Sequence, residues 1–262
     1  MIGVFDSGLG GLTVLKEFIR LLPQYDYLYL GDNARAPYGD KDQATIYRYT
    51  REAVDYLFDH GCTMVILACN TASAEALRQL QADYPKWKIL GVLIPLAEAA
   101  VATGASRVGV IATTSTVQSK SYRREIQKLA PKTDVIQLAT PLLVPLIENG
   151  QERSVSARRI IKKYMLKLKS YNIRVLILGC THYSFVAGTI KRYLGSKIVC
   201  FDSGAIVATK LQNYLERHPE TESRLSQNKT VKILTTGEAE SFNRSATKYF
   251  GAHIQAEQIN VK

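Results

Sequence analysis

The feature that most constrains this chain is the alternation of short, wholly apolar runs with longer amphipathic stretches. The runs are continuous rather than alternating apolar and polar, which is typical of strands buried on both faces of a sheet. Strand–helix alternation predicts parallel sheets with helices on both faces, an α/β fold. The predicted strands are Ile2–Phe5, Tyr27–Leu30, Met64–Ala68, Lys88–Val92, Arg107–Ile111, Asp134–Leu138, Val175–Leu178, Lys197–Phe201 and Val231–Leu234.

Helices are predicted between these strands from the spacing of their apolar residues. We expect Asp42 to cap the second helix and Gly61 to end it. The clearest candidates are Leu12–Leu22, Gln43–His60, Ala74–Tyr84, Lys120–Ala130, Val155–Tyr171 and Ala205–Arg217.

A weak internal repeat indicates two related α/β halves. Residues 65–71 (VILACNT) parallel residues 176–182 (LILGCTH), and residues 2–5 (IGVF) parallel residues 108–111 (VGVI). The offsets are 111 and 106 residues. Apolar strands resemble one another by chance, but a cysteine at the same place in both longer runs raises this match above chance.

Those two cysteines, Cys69 and Cys180, directly follow predicted strands. Ligands of parallel sheets bind beyond the carboxyl ends of the strands. A thiol there also lies near backbone N–H groups that favour the thiolate. Two thiols in matched positions therefore predict action on one ligand from opposite sides.

Racemisation of an amino acid needs such a pair. The α-proton leaves one face of the carbon and another proton arrives on the opposite face, so an acid and a base of similar strength must exchange roles. A free thiol has a pKa of about 8.5, so modest shifts bring it near neutrality. The sequence therefore predicts a racemase with two thiol groups.

The other two cysteines, Cys62 and Cys200, are interpreted as core residues. No C-x-x-C pair is present, so a zinc ribbon or a redox dithiol is disfavoured and no metal site is expected. The segment GLGG at residues 8–11 lacks the third glycine of a dinucleotide fingerprint because Thr13 stands there. No P-loop motif occurs.

The chain has a net charge of +11, and many of its cations lie between Arg158 and Arg174 at helical spacing. We interpret them as a solvated helix face, with nucleic-acid binding as an alternative of another class. The longest apolar stretch, around Ile89–Ala102, is interrupted by Pro95 and Glu98 and is too short to span a bilayer. With no signal-peptide pattern at the N-terminus, we expect a cytoplasmic protein with reduced thiols and no membrane partner.

Six short motifs, in order along nearly the whole chain, resemble the glutamate racemases of bacterial cell-wall synthesis. The resemblance implies interconversion of L- and D-glutamate without a cofactor, supply of D-glutamate for peptidoglycan, and a homodimer. The motifs are DSGLGG (6–11), GD (31–32), APYG (36–39), ACNTA (68–72), VPLIE (144–148) and GCTHY (179–183).

The resemblance also assigns roles to individual residues. Cys69 and Cys180 would exchange the proton, Asp6 would assist Cys69, and His182 and Glu148 would assist Cys180. With the repeat, it implies a first domain of residues 1–95 and 206–262, a second of residues 96–205, and an active site in the cleft between them. The implied substrate-binding residues are Asp6, Ser7, Tyr38, Gly39, Asn70, Thr71, Thr113, Thr116, Thr181 and His182.

The chain departs from the family pattern at a few positions. Ala112 and Ser115 stand where the family usually has glycine, and Ser184 stands where it usually has proline. Aspartate racemase is the nearest alternative, because it shares the two-thiol chemistry and differs mainly in ligand length. The triplet Cys180-Thr181-His182 favours glutamate within this resemblance.

Overall fold

The chain forms two parallel β-sheets, and a computed structural model describes residues 1–250 and 254–261 of it. Strands β1 to β10 of these residues are Ile2–Asp6, Tyr27–Gly31, Met64–Leu67, Lys88–Gly91, Arg107–Ala112, Asp134–Ala139, Val175–Gly179, Val199–Phe201, Val231–Thr235 and Ala256–Gln258. Helices α1 to α13 are Leu12–Leu21, Gln43–Asp59, Asn70–Glu75, Leu77–Asp83, Leu93–Ala102, Thr114–Gln118, Ser121–Leu129, Leu143–Glu148, Val155–Lys169, Ala187–Leu194, Ser203–Arg217, Pro219–Glu222 and Ala239–Phe250. Two 3₁₀ helices are Asn33–Arg35 and Thr181–Val186.

The two sheets share one topology. The first has the order β10-β9-β2-β1-β3-β4, and the second has the order β6-β5-β7-β8. The first sheet thus contains the four-strand pattern of the second and adds β9 and β10 from the end of the chain. This confirms the predicted fold of two α/β domains with parallel sheets.

The strand register explains the sequence repeat. Ile2 pairs with Met64 in the first sheet, and Val108 pairs with Val175 in the second. These pairs are separated by the same offsets of 106 and 111 residues that relate the matching sequence runs. The repeat therefore records equivalent strands, with β1 and β3 in the first domain matching β5 and β7 in the second.

Each sheet lies between two apolar layers, which is why its strands read as unbroken apolar runs. Along β3, Met64 and Ile66 pack into one core while Val65 and Leu67 pack into the core on the other face. Residues of β7 alternate in the same way between the two cores of the second sheet.

The strands of the first sheet lie within residues 1–95 and 206–262, and those of the second lie within residues 96–205. Residues 251–253 and 262 of the predicted first domain lie outside the described residues. Helices α5 and α11 run across the proposed limits at residues 95 and 205, so the exact domain boundaries stay a prediction.

Most predicted helices are present within two residues of their expected ends. Asp42 caps α2 through its Oδ1 atom, which accepts a hydrogen bond from the Thr45 N–H at 2.9 Å, and Gly61 follows that helix with a φ of +86°. The helix predicted over Ala74–Tyr84 is instead two helices, α3 and α4, of which α3 begins directly after Cys69.

Among the described residues, no helix has the length and hydropathy needed to cross a membrane.

Candidate active site

A pocket lies between the two domains at the carboxyl ends of both sheets. Ser7 follows β1, Cys69 follows β3 after one residue, Thr113 follows β5 and Cys180 follows β7. Strands of both domains therefore deliver polar side chains to one place. The pocket is lined by Ser7, Pro37, Tyr38, Gly39, Asp40, Cys69, Asn70, Thr71, Thr113, Thr140, Pro141, Val144, Pro145, Glu148, Cys180, Thr181 and His182.

On the side of the first domain, the Cys69 thiol is buried and contacts two groups. Its Sγ atom lies 3.3 Å from Ser7 Oγ and accepts a hydrogen bond from the Ala72 N–H at 3.5 Å. Burial, with the nearby Asp6 carboxylate, raises the pKa of Cys69 to about 12 even though these two contacts lower it. The uncharged thiol is therefore the stable form of Cys69 at neutral pH.

Asp6 is fully buried behind the pocket wall and does not line the pocket. Its carboxylate accepts hydrogen bonds from the Gly8 N–H at 3.1 Å and from Thr181 Oγ1 at 3.3 Å. Burial raises the pKa of Asp6, although the positive charge of His182 and these hydrogen bonds oppose the rise. The carboxyl group thus links the two domains and has a greater proton affinity than an exposed aspartate.

On the side of the second domain, Cys180 lies beside a buried histidine. Its Sγ atom is 3.8 Å from His182 Nδ1, and His182 Nε2 is 3.2 Å from Glu148 Oε1 in an ion-pair contact that lacks hydrogen-bond alignment. Burial alone would lower the pKa of His182, but Cys180 and Glu148 raise it to about 10. His182 is therefore a cation at neutral pH, and its positive charge lies beside the Cys180 sulfur.

Three threonine hydroxyl groups form a triangle where the domains meet. Thr113 Oγ1 lies 3.0 Å from both Thr71 Oγ1 and Thr116 Oγ1, and Thr116 Oγ1 lies 3.3 Å from Thr71 Oγ1. Thr113 also caps α6. Thr71 and Thr113 line the pocket, whereas Thr116 is buried behind them.

Asn70 is oriented from both sides. Its Oδ1 atom accepts a hydrogen bond from Tyr122 Oη of the second domain at 2.6 Å, and its Nδ2 atom donates to Ser203 Oγ at 3.5 Å. Tyr38 donates a short hydrogen bond to the buried Asp32, whose other oxygen accepts from Thr236 at 2.7 Å. These contacts fix the amide and the aromatic ring that border the pocket.

Eleven of the residues predicted for the site line this one pocket, and Asp6 and Thr116 stand directly behind it. Their roles in catalysis and binding stay predictions. Thr140 also lines the pocket but was not predicted, although it directly follows β6 and obeys the same strand-end rule as Cys180. Within the described part of the chain, no cluster of three His, Cys, Asp or Glu side chains could hold a metal ion.

The predicted departures from the family pattern leave the backbone regular. Ala112 ends β5 and Ser115 lies in α6, so neither position adopts a left-handed conformation. Ser184 lies within the 3₁₀ helix Thr181–Val186. Replacing the usual glycines and proline here therefore imposes no backbone strain.

Known proteins match both the sequence and this architecture. The sequence pattern of the Asp/Glu/Hydantoin racemase family matches residues 2–211. A glutamate racemase of Enterococcus faecalis is 37% identical over 262 residues, covering 99% of this chain and 96% of that protein. The crystal structure of glutamate racemase RacE1 from Bacillus anthracis superposes with a TM-score of 0.93 at 34% identity, covering 100% of this chain and 97% of the other. That of the Francisella tularensis enzyme in complex with D-glutamate superposes with a TM-score of 0.90 at 30% identity, covering 99% and 97%.

Two matched parallel sheets, a polar pocket between their carboxyl ends and these relatives define an amino-acid racemase, an isomerase acting on a small molecule. The chain belongs to the Asp/Glu/Hydantoin racemase family.

Proposed function

We propose that this protein is a glutamate racemase that moves the α-proton between Cys69 and Cys180. The relatives named above are glutamate racemases of nearly the same length, which favours glutamate over aspartate. The single observation that carries the mechanism is that two buried thiols, placed after equivalent strands of two equivalent domains, border one pocket.

The reaction begins with one thiolate and one thiol. The thiolate takes the proton from Cα, the electron pair stays on the substrate as a carbanion, and the opposite thiol donates its proton to the other face of Cα. The substrate leaves inverted, and the thiol and the thiolate have exchanged places. Removal and return of the proton by positioned groups contribute typically 10²–10⁴-fold each to the rate.

The neighbours of the two thiols supply the starting asymmetry. The Cys180 sulfur lies beside the protonated His182, which stabilises a thiolate there. Cys69 starts as the thiol because burial and Asp6 oppose its ionisation. Asp6 then assists Cys69, and His182 with Glu148 assists Cys180. The enantiomer whose α-proton faces Cys180 reacts directly with this resting state.

Neutral donors line much of the substrate position, together with Asp40, Glu148 and His182. The facing wall is formed by Tyr38 and Gly39. Hydroxyl groups come from Ser7, Thr71, Thr113 and Thr181, and an amide comes from Asn70. Such groups bind carboxylates without adding a competing base near Cα. Thr116 positions Thr113 from behind. The reaction needs no cofactor in this scheme.

Resemblance to cell-wall racemases extends the proposal to the supply of D-glutamate for peptidoglycan. The cytoplasmic location and the homodimer stay predictions.

The direct test is incubation with L-glutamate in deuterium oxide without added cofactor. We expect loss of optical rotation together with incorporation of deuterium from the solvent at Cα, measured by NMR or mass spectrometry. Racemisation of aspartate but not glutamate would reject the proposed substrate.

Replacement of either thiol tests the mechanism. Cys69→Ala and Cys180→Ala are each expected to lower racemisation in both directions by at least about 10³-fold, because each removes one of the two proton carriers. Circular dichroism of each enantiomer measures the rates. Cys200→Ala is the matched control, because that thiol lies in β8 and does not line the pocket. Near-normal turnover by either active-site variant would refute the two-thiol scheme.

A further inference from the structure

The excess of positive over negative charge in this protein is confined to one segment. Residues 153–201 contain eleven Lys and Arg and no Asp or Glu, which equals the net charge of +11 of the whole chain. The remaining residues hold 23 cations and 23 acids and are neutral as a group. A surface partner for this charge would have to be anionic.

Most of these cations lie on two neighbouring helices of the second domain. Helices α9 and α10 pack against the same core, to which Ile161, Met165 and Ile190 contribute. Their solvent side, which we call the basic face, includes Lys191 and Arg192 on α10. On α9 its exposed cations are Arg158, Arg159, Lys162, Lys163, Lys167 and Lys169.

No compensating acids are paired with the basic face. Across residues 1–250 and 254–261, none of the eleven cations forms a salt bridge, although Arg and Lys elsewhere form many. Glu152, the acid directly before residues 153–201, is buried and paired with Lys248. Unpaired like charges one helical turn apart repel each other, and an anionic surface would relieve that repulsion.

Apolar side chains stand among these charges. Val155 and Leu166 are 63% and 54% exposed. They are eleven residues apart, about three helical turns, so they lie on the same side of α9. Arg159 and Lys162 occupy the turns between them on that side. The basic face therefore combines cations with two exposed aliphatic groups in one line.

We propose that the basic face docks on an anionic lipid bilayer. Clusters of four to eight Lys and Arg on a helix bind anionic headgroups, and exposed aliphatic side chains add contact at the boundary of headgroup and acyl chain. The expected absence of a membrane partner rested on the lack of a spanning segment, and docking at the surface needs none.

Other occupants fit less well. A symmetric dimer through this face would place cations against cations. Nucleic acid would match the charge, but Val155 and Leu166 carry no hydrogen-bonding group for phosphates or bases, and the tyrosine of α9, Tyr164, is half-buried against the core.

The test is co-sedimentation of the full chain with phosphatidylcholine vesicles that do or do not contain phosphatidylglycerol. We expect binding only to the anionic vesicles at about 0.1 M salt, and release at about 1 M salt, where the Debye length falls to about 3 Å. The variant K162Q/K163Q/K167Q should partition about 100-fold more weakly, because each cation near the surface contributes about a fivefold factor. Leu166→Asn should weaken binding to the anionic vesicles at about 0.1 M salt, and its binding should fall with added salt as steeply as that of the unmodified protein.

The control variant K86Q/K88Q/K132Q has the same net charge but changes three exposed lysines outside residues 153–201. It should bind like the unmodified protein. Thermal unfolding, which is independent of the racemase assay, verifies that both triple variants are folded. Absence of binding to anionic vesicles, or equal losses in the two triple variants, would overturn the proposal. Retention on duplex DNA at the same salt, without vesicle binding, would overturn it in favour of nucleic acid.

Discussion

At the scale of single residues, the two thiols are equivalent in position but not in environment. Cys69 faces a hydroxyl group and a buried carboxyl group, whereas Cys180 faces an imidazolium that is itself paired with Glu148. The two thiols therefore meet opposite charges, the Asp6 carboxylate near Cys69 and the His182 imidazolium beside Cys180. The asymmetry comes from residues 6 and 7 on one side and residues 148 and 182 on the other.

The titration of His182 makes stability depend on pH. Its pKa is about 10 in the folded chain, against about 6.5 in an unfolded one. Between these values the folded state holds more protons, so its stabilisation is complete below about pH 6.5 and is lost as the pH rises to about 10. We expect the difference in unfolding free energy between the unmodified protein and His182→Asn to shrink over this range in urea titrations.

His60→Asn is the control for this experiment, because His60 is exposed and does not line the pocket that contains the two thiols. The difference in unfolding free energy between His60→Asn and the unmodified protein should not shrink between pH 6.5 and pH 10. A constant difference for His182→Asn as well would show that the imidazole is neutral in the native state.

At the scale of secondary-structure elements, α13 of the first domain contacts the segments of the second that carry Glu148 and His182. Tyr249 Oη lies 2.8 Å from the carbonyl oxygen of Ile147, the residue before Glu148. Its ring stacks on Phe185 at 4.1 Å, and Phe185 meets the His182 ring edge to face. One side chain near the end of α13 thus contacts the segments that carry both Glu148 and His182.

Tyr249→Phe tests these contacts, because it removes the hydroxyl group and leaves the stacked ring. Loss of one hydrogen bond of about 1 kcal/mol should lower kcat about fivefold while KM stays near its original value, since Tyr249 does not line the pocket. Steady-state racemisation kinetics measure both constants. Tyr171→Phe, which alters an exposed tyrosine, should change neither; an unchanged kcat for Tyr249→Phe would show that α13 does not position Glu148.

The elements that bear the site were also the hardest to predict. The short helices α3 and α6 have no apolar period, because their buried faces are polar and meet the other domain rather than a core. The prediction of a helix over Ala74–Tyr84 began four residues late for that reason. Hydrophobic spacing detects faces buried against apolar layers, and these helices are buried against hydroxyl groups.

At the scale of the whole molecule, the pocket exists only where the two domains touch. Thr71 of the first domain meets Thr113 of the second, Gly39 packs against Thr113, and Arg78 pairs with Glu125 across the same boundary. A Cβ atom at Gly39 would lie 2.7 Å from Thr113 Cβ, which is closer than real contacts allow. Because residue 39 is a glycine, the backbone of the first domain can pack directly against Thr113 of the second domain.

Gly39→Ala should therefore hold the loop away from Thr113. A displacement on the order of 1 Å at a substrate-positioning wall costs roughly 100-fold, so we expect kcat/KM to fall by about that factor. Gly188→Ala is the matched control, because a Cβ there has no neighbour within 4 Å, and its kcat/KM should be unchanged. Equal kinetics for the two variants would show that the contact between Gly39 and Thr113 is not needed for activity.

The sequence by itself determined the parallel α/β fold, the two-domain repeat and the position of both cysteines at strand ends. It could do so because wholly apolar strands and helical periods are local patterns, and because the similar offsets of 106 and 111 residues relate equivalent strands of the two domains. The helpers Asp6, Glu148 and His182 came only from resemblance, since nothing local distinguishes a catalytic acid from a surface one.

Only the tertiary structure decided which of these groups meet. It brought residues separated by more than one hundred positions, such as Cys69 and Cys180, to one pocket, placed Asp6 behind its wall and added Thr140 to its lining. It also set the environment of Cys69, because burial and the nearby Asp6 raise the pKa of that thiol and both depend on packing. The local sequence thus places each cysteine at the end of a strand, and contacts between residues distant in the sequence determine which groups surround its sulfur.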